Sequence, residues 1–255
     1  MSVPRKLRCR VSRITDHSEH VYTVELSPLV PDPRSPIPDH RPLSFRPGQF
    51  LHLALDDYDP SRFWPESRVF SIASPPATLP LRISYSVRGR YTARMEKELT
   101  EGRQVWVKLP YGEFVVSATQ PSVLLAGGTG ITAFTSFIAG LTSDCPHRVF
   151  LAYGARRPDL LVYRDLVEQQ SAAVPNFRYV LFSESPVPDP RPPSPVPGLP
   201  LLPGCISVAT IWPLLATPAE SSFFVSGPPA MLKSVVTDLQ NRGIQPAAIR
   251  TDAWE

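Results

Sequence analysis

Apolar periodicity changes once along these 255 residues, near position 121, and that change limits the folds open to the chain. Before it, short runs suit β structure: 21–26, 50–55, 69–72, 81–87 and 104–108, several alternating with period two and separated by turns such as Pro47-Gly48 and Pro75-Pro76. Strands spaced this way predict an antiparallel β-barrel. One helix interrupts them, over about 92–99, with Thr92 placed to cap it. After residue 121, apolar strands at 122–126, 149–153, 177–182 and 222–226 alternate with helical patterns at 132–141, 159–170 and 230–242. That alternation predicts an α/β domain with a doubly wound parallel sheet. The reading is two domains, 1–118 and 119–255.

Composition narrows the class. Hydrophobic residues are 42% and charged residues 19%, as in a globular chain, and the net charge of +3 is too small to argue for nucleic acid. No stretch has the apolar length of a membrane span, and Met1 is not followed by a signal-type hydrophobic region, so the expected location is cytoplasmic. Cys9, Cys145 and Cys205 are too far apart for zinc or iron–sulfur spacing, so no metal is expected; if the chain hands on electrons through an iron–sulfur centre, that centre would belong to another protein. Arg5, Lys6, Arg8, Arg10 and Arg13 crowd the N-terminus. Alternation with Leu7, Cys9 and Val11 reads as the solvated face of a first strand; the sharper alternative is a docking patch for an acidic redox partner. Fifteen of the 32 prolines fall at 28–42 and 186–203, which read as polyproline-like surface loops rather than strands or helix interiors.

Four segments carry chemistry. In Arg68-Val69-Phe70-Ser71-Ile72-Ala73-Ser74, an arginine suits a pyrophosphate, an aromatic suits a flat ring, and a hydroxyl can hydrogen-bond a ring nitrogen. In isolation the same run is a barrel strand with one exposed arginine. Arg88-Gly89-Arg90-Tyr91-Thr92 offers two arginines and helix N-terminal amides, which suit a second phosphate. Gly127-Gly128-Thr129-Gly130-Ile131-Thr132 follows an apolar strand and opens a helix, where bare backbone and a positive dipole end can meet an anion; many such turns are glycine-rich for packing alone. Ser226-Gly227-Pro228-Pro229-Ala230-Met231 ends another apolar strand, which puts a hydroxyl at the carboxyl edge where open α/β sheets bind ligands. A fifth segment, Leu109-Pro110-Tyr111-Gly112-Glu113-Phe114, reads equally as a tight turn with core aromatics or as a flavin-lining turn.

In this order, the segments resemble the ferredoxin–NADP reductase superfamily of FAD enzymes over almost the whole chain. The resemblance implies an FAD-binding β-barrel domain followed by an NAD(P)-binding α/β domain. Its arginine-any-aromatic-serine motif falls on Arg68, Phe70 and Ser71. It implies that Arg68 binds an FAD phosphate, Phe70 packs on the isoalloxazine and Ser71 lies near the nitrogen that accepts hydride. Gly89, Arg90, Tyr91 and Thr92, with Arg88 and Ser74 beside these motifs, would complete the cofactor site. Gly127, Gly128, Thr129, Gly130 and Thr132 would hold the nicotinamide dinucleotide, flanked by Ser226, Gly227, Pro228 and Met231. Two departures stand out. Ser226 replaces a cysteine common in the family, and the acidic-any-aromatic ending is Asp252-Ala253-Trp254, with Trp254 placed against the flavin or merely packed at the domain edge.

Glu184, after the third strand of the second half, bears on the coenzyme. A carboxylate there accepts from ribose hydroxyls and repels a 2′-phosphate: at about 4 Å and an effective dielectric near 20, a charge pair is worth roughly 4 kcal/mol, and a screened fraction gives about a tenfold preference. That favours NADH over NADPH, whereas Arg156 and Arg157 could reach a 2′-phosphate if Glu184 points away. The resemblance implies hydride transfer from NAD(P)H to bound FAD, then electrons to an external acceptor such as a ferredoxin or an oxygenase component. Two alternatives stay open: an NAD(P)H:flavin reductase using free flavin, and a non-catalytic FAD- or nucleotide-binding regulatory module.

Overall fold

The computed structural model describes residues 4–29, 43–185 and 201–252. Most of the two proline-rich stretches, and Trp254, lie outside the described residues. The chain divides into two compact units, Met1–Val115 and Val116–Glu255.

The first unit is a six-stranded sheet of β1 (Arg5–Asp16), β2 (Val21–Pro28), β3 (Phe50–Ala54), β4 (Ser67–Ser71), β5 (Leu81–Ser86) and β6 (Gln104–Tyr111), in the order β4-β3-β6-β1-β2-β5. Every neighbouring pair is antiparallel. The edges nearly close into a barrel just past β4, where Ala73 N donates to Arg82 O at 2.8 Å. Period-two alternation sends Cys9, Val11, Leu51, Leu53, Val105 and Val107 into one core, while Lys6, Arg8 and Arg10 stay in water. Burial pushes the Cys9 thiol up to about 12. Helix α1 (Arg90–Glu98) buries Tyr91 and Met95 against this core. It starts two residues earlier than its sequence pattern suggests. Gly89 is the N-cap, and Thr92, in the first turn, reaches back to accept from Arg88 N at 2.9 Å and Gly89 N at 3.1 Å.

The second unit is a parallel sheet of β7 (Ser122–Gly127), β8 (Val149–Ala155), β9 (Phe177–Ser183), β10 (Leu202–Pro203), β11 (Ser222–Ser226) and β12 (Ile249–Asp252), in the order β10-β9-β8-β7-β11-β12. Its helices are α2 (Thr132–Ala139), α3 (Arg164–Ala173), α4 (Val208–Ile211) and α5 (Pro229–Asn241). Strand β8 is buried along its whole length, which is why its sequence is continuously apolar rather than alternating. Strand β10 corrects one expectation, because Pro203 lies in a strand. It is an edge strand, where a missing N–H leaves no ladder bond unmade. The chain winds outward from β7 to β10 on one side and continues through β11 and β12 on the other, so the order reverses between β7 and β11. In an open parallel sheet, that reversal opens a crevice at the carboxyl ends of the two strands. No helix among the described residues is long and apolar enough to cross a membrane.

Candidate functional site

In the first unit, β4 and the start of α1 converge although about twenty residues separate them in sequence. The Arg68 guanidinium lies 5.0 Å over the Tyr91 ring. Tyr91 is fixed from below: its hydroxyl donates to Leu53 O at 2.8 Å and accepts from Leu55 N at 3.1 Å. Burial first of all holds that hydroxyl up at about 12, so it stays protonated. Because Thr92 already occupies the amides of Arg88 and Gly89, the first-turn donors left without a helical partner are those of Arg90, Tyr91 and Thr92. A guanidinium and three first-turn N–H groups on neighbouring elements could serve as an anion cradle. Arg68 is meanwhile held by Glu66 at 3.2 Å and by Ser67 O at 2.9 Å, half exposed to water. Arg88 is turned to Ser86 at 3.1 Å, and Arg90 is exposed.

Phe70 packs on the barrel core with its ring 6.0 Å from Tyr85, and Ser71 beside it is buried. Ser74 does a structural job, accepting from Arg82 N at 3.2 Å where the barrel nearly closes. Tyr111 stacks on Phe50 at 5.9 Å and meets His52 edge-on at 4.9 Å. Sequence reasoning missed Gln49. Its side chain is buried, donates to Gly112 O at 3.0 Å and accepts from Arg46 N at 2.8 Å, so it clamps the 46–48 turn to the 112 turn. The signal available was a polar residue directly after Pro47-Gly48.

In the second unit, the two turns at the order reversal pack on each other. A Cβ at Gly130 would run into the Ser226 carbonyl, so only glycine allows that approach. Gly127 faces Met231 and Pro228 in the same contact. Gly128 differs: its φ of +55° is left-handed and a Cβ there would meet nothing within 4 Å, so it borders open space. Thr132 donates to Thr129 O at 2.8 Å, which tightens the turn into α2. Strand register places Ser226 opposite Asp252, and the Ser226 hydroxyl donates to the Asp252 carboxylate at 3.1 Å. Both are almost fully buried, at 2% and 4% exposure, so this polar pair is isolated from bulk water at the mouth of the crevice.

Further along the same edge, the ends of β8, β9 and β10 are laced together: Ser185 N donates to Arg156 O at 2.8 Å and Gly204 N to Ser183 O at 2.7 Å. Arg157 is tied to Asp159 by two 3.0 Å bonds, which leaves Arg156 as the exposed guanidinium of the two. Cys205 lies against the Glu184 carboxylate; burial first, then that charge, raises its thiol above the ordinary value. No sequence pattern hints at this contact, because β10 is too short to announce itself. Among the described residues, no group of three His, Cys, Asp or Glu could hold a metal ion.

Residues 124–237 match the family model of the oxidoreductase NAD-binding domain. The phenol hydroxylase P5 protein of Acinetobacter pittii (strain PHEA-2) is 30% identical over 69% of this chain and 50% of its own length. The toluate 1,2-dioxygenase electron transfer component of Pseudomonas putida is 29% identical over 80% of this chain and 57% of its own. Among solved structures, the FAD/NAD-binding domain of nitric oxide dioxygenase from Vibrio cholerae O1 biovar El Tor superposes with a TM-score of 0.74 at 18% identity, covering 97% of this chain and 98% of that one. The chain thus spans about half the length of the curated relatives it matches.

Proposed function

We propose that the chain is a member of the ferredoxin–NADP reductase superfamily and an NAD(P)H-dependent flavoprotein reductase; its fold and its match to the oxidoreductase NAD-binding domain support that reading. In this reading the first unit holds FAD and the second holds NADH, or less favourably NADPH. Electrons leave to a separate acceptor, a ferredoxin or an oxygenase component, as the names of the relatives suggest. A cytoplasmic location goes with the reading, since reduced nicotinamide coenzymes are supplied there.

The observation that carries it is the anion cradle of Arg68 and the α1 amides in one unit, matched by a crevice at the order reversal in the other. Each suits the diphosphate of a dinucleotide. Bound FAD would supply a two-electron acceptor able to release electrons singly. The chain's own residues do the rest. Arg68 and the amides of Arg90, Tyr91 and Thr92 neutralise the flavin's phosphates, Phe70 packs against its ring system, and Ser71 offers a hydroxyl to a ring nitrogen. The 127–130 turn and the start of α2 receive the phosphates of the nicotinamide coenzyme.

Ser226 has a more specific task. Since its proton is committed to Asp252, its oxygen presents lone pairs to the crevice. Loss of hydride makes a nicotinamide ring positive, and a buried oxygen backed by a carboxylate stabilises that developing charge more than it stabilises the neutral reduced ring.

Glu66 beside Arg68 favours the second reading, a reductase of free flavin, because it weakens the grip on phosphate. One experiment separates them. Anaerobic addition of NADH to protein purified with its yellow cofactor should bleach the flavin, faster than NADPH does. Colourless protein that reduces only added flavin would support the second reading, and a bound flavin left oxidised by both coenzymes would refute either.

A further inference from the structure

The amino-terminal edge of the parallel sheet carries a cavity of about 500 Å³ that none of the flavin- or nicotinamide-site residues lines. It opens at the first residues of β7, β8 and β9, whereas the Gly127 and Ser226 turns sit at the opposite ends of their strands. At about 3.3 Å per residue, five residues of strand separate the two by some 15 Å. The cavity is therefore distinct from the crevice, and a ligand bound in it is independent of the redox reading.

Its walls have two kinds of surface. Strand register lines up Val123, Phe150 and Arg178 side by side on one face of the sheet. Leu214 and Leu215 close over that row, and Leu214 is 38% exposed, a large apolar side chain left in water at the rim. Arg148 and Arg178 also line the cavity, and among the described residues no aspartate or glutamate does. Both arginines are exposed, and neither forms an ion pair within 4 Å among the described residues.

We propose that this cavity binds a small amphipathic anion, an aromatic or medium-chain aliphatic carboxylate, whose head pairs with Arg148 and Arg178 and whose apolar body lies on Val123, Phe150 and Leu215. A neutral apolar molecule would fill the same volume but leave two guanidinium groups unpaired, while inorganic phosphate would meet the guanidinium groups and leave the apolar wall wet. The planar fork of arginine matches a carboxylate with two parallel hydrogen bonds, so the carboxylate satisfies both surfaces. The volume falls in the range usual for small-molecule sites, roughly 300–1,000 Å³.

Calorimetric titration of the full chain, loaded with FAD, tests this with four probes: benzoate, octanoate, benzyl alcohol and inorganic phosphate. Benzoate and octanoate should each saturate one site, with benzyl alcohol and phosphate at least about tenfold weaker. The Arg148→Ala/Arg178→Ala double variant should lose at least about tenfold in benzoate affinity, since both side chains are exposed and their removal leaves the fold alone. Ala216→Phe, at the exposed rim, should block binding by filling the cavity while leaving both arginines in place. The proposal is overturned if neither carboxylate saturates below about 10 mM, if benzyl alcohol or phosphate binds as tightly as benzoate, or if either variant binds benzoate unchanged.

Discussion

Ser226 and Asp252 sit directly across from each other on β11 and β12, joined by a 3.1 Å hydrogen bond, and both are buried. The geometry makes the pair a unit: the carboxylate fixes the hydroxyl at the carboxyl end of β11, beside the order reversal. A hydrogen bond to a charged group is worth about 1.5–3 kcal/mol. If it acts in the transition state, its loss slows hydride transfer about ten- to a hundredfold. Ser226→Ala and Asp252→Asn should therefore both slow anaerobic flavin bleaching, each with flavin content unchanged. Their double variant should be little slower than either single one, since each removes the same charge-assisted hydrogen bond, Asp252→Asn by taking away its charge. Additive losses in stopped-flow measurements would show the two residues acting separately.

Glu66 and Arg68 form a half-exposed ion pair at 3.2 Å, at the place where a flavin phosphate would need the guanidinium. Exposed pairs of this kind contribute little to folding, so removing the carboxylate costs no stability and frees the arginine. Glu66→Gln should tighten FAD binding by about two- to fivefold, and Arg68→Ala should weaken it by about tenfold or more, read by fluorescence titration of apoprotein. The gain in Glu66→Gln should fade at high salt. Equal FAD affinity in all three proteins would remove Arg68 from the phosphate site.

The three glycines of the 127–130 turn are not equivalent. Gly130→Ala drives a methyl group into the Ser226 carbonyl, which is backbone and cannot swing aside. Overpacking of this kind costs about 1–3 kcal/mol, so thermal unfolding should shift down by several degrees and coenzyme use should fall with it. Gly128→Ala meets nothing and bears only the left-handed backbone, at about 1–2 kcal/mol. Its deficit should appear in stability with the Ser226 contact intact.

This turn also shows how far the sequence can be read. The glycines marked a tight strand-to-helix turn, but whether each serves a ligand or packing depends on the β11 turn, almost a hundred residues away, which no local pattern encodes. The same holds for Arg68 and Tyr91, whose juxtaposition comes from antiparallel pairing of β3 with β4 and from the seat of α1 on β3. Strands with clean periodicity, such as β5 and β7, were legible to within a residue or two, because burial on one face or both leaves its period in the residues. What escaped is short or nonlocal: the two residues of β10, the four of α4, the clamp at Gln49 and the thiol beside Glu184. Thr92 was recognised as a capping residue but given the wrong position, since a threonine can satisfy the same amides from within the first turn as from the cap itself.

His20, Glu96 and Tyr22 link β2 and its preceding turn to α1. Glu96 lies 2.7 Å from His20 Nδ1 and accepts from the Tyr22 hydroxyl at 2.9 Å. The hydrogen bond to Glu96, then its charge, raises His20 above the ordinary 6.5. The same bonds lower Glu96 below 4.5. A raised histidine stabilises the fold below its unfolded value, and that contribution disappears as pH rises through the folded one. A lowered glutamate stabilises above its unfolded value, and its contribution disappears as pH falls through the folded one. Both operate together between about pH 4.5 and 6.5. The melting temperature of His20→Gln should therefore fall below that of the parent more at about pH 5.5 than at about pH 8, by a small margin because the groups are exposed. A deficit independent of pH would mean that the imidazole contributes by shape rather than by charge.

In the proposed reductase, coenzyme choice would rest on Glu184, just past the end of β9, with the Cys205 thiol against its carboxylate and Arg156 exposed just past the end of the neighbouring β8. There the carboxylate accepts from the adenosine ribose and repels a 2′-phosphate. Arg156 by itself does not reverse that preference, because a negative charge stands just past the adjacent strand. Glu184→Gln removes the repulsion and should narrow the ratio of kcat/KM for NADH over NADPH by about fivefold; Glu184→Arg adds attraction and should move it by at least about tenfold, inverting it. Cys205→Ala leaves the charge in place but frees the carboxylate to rotate, so it should weaken NADH use about two- to threefold with little effect on NADPH. Comparison of the three variants by steady-state kinetics, with flavin occupancy held equal, separates charge from positioning. A ratio that stays constant across all three would refute the assignment of Glu184 to the ribose while leaving the reductase chemistry standing.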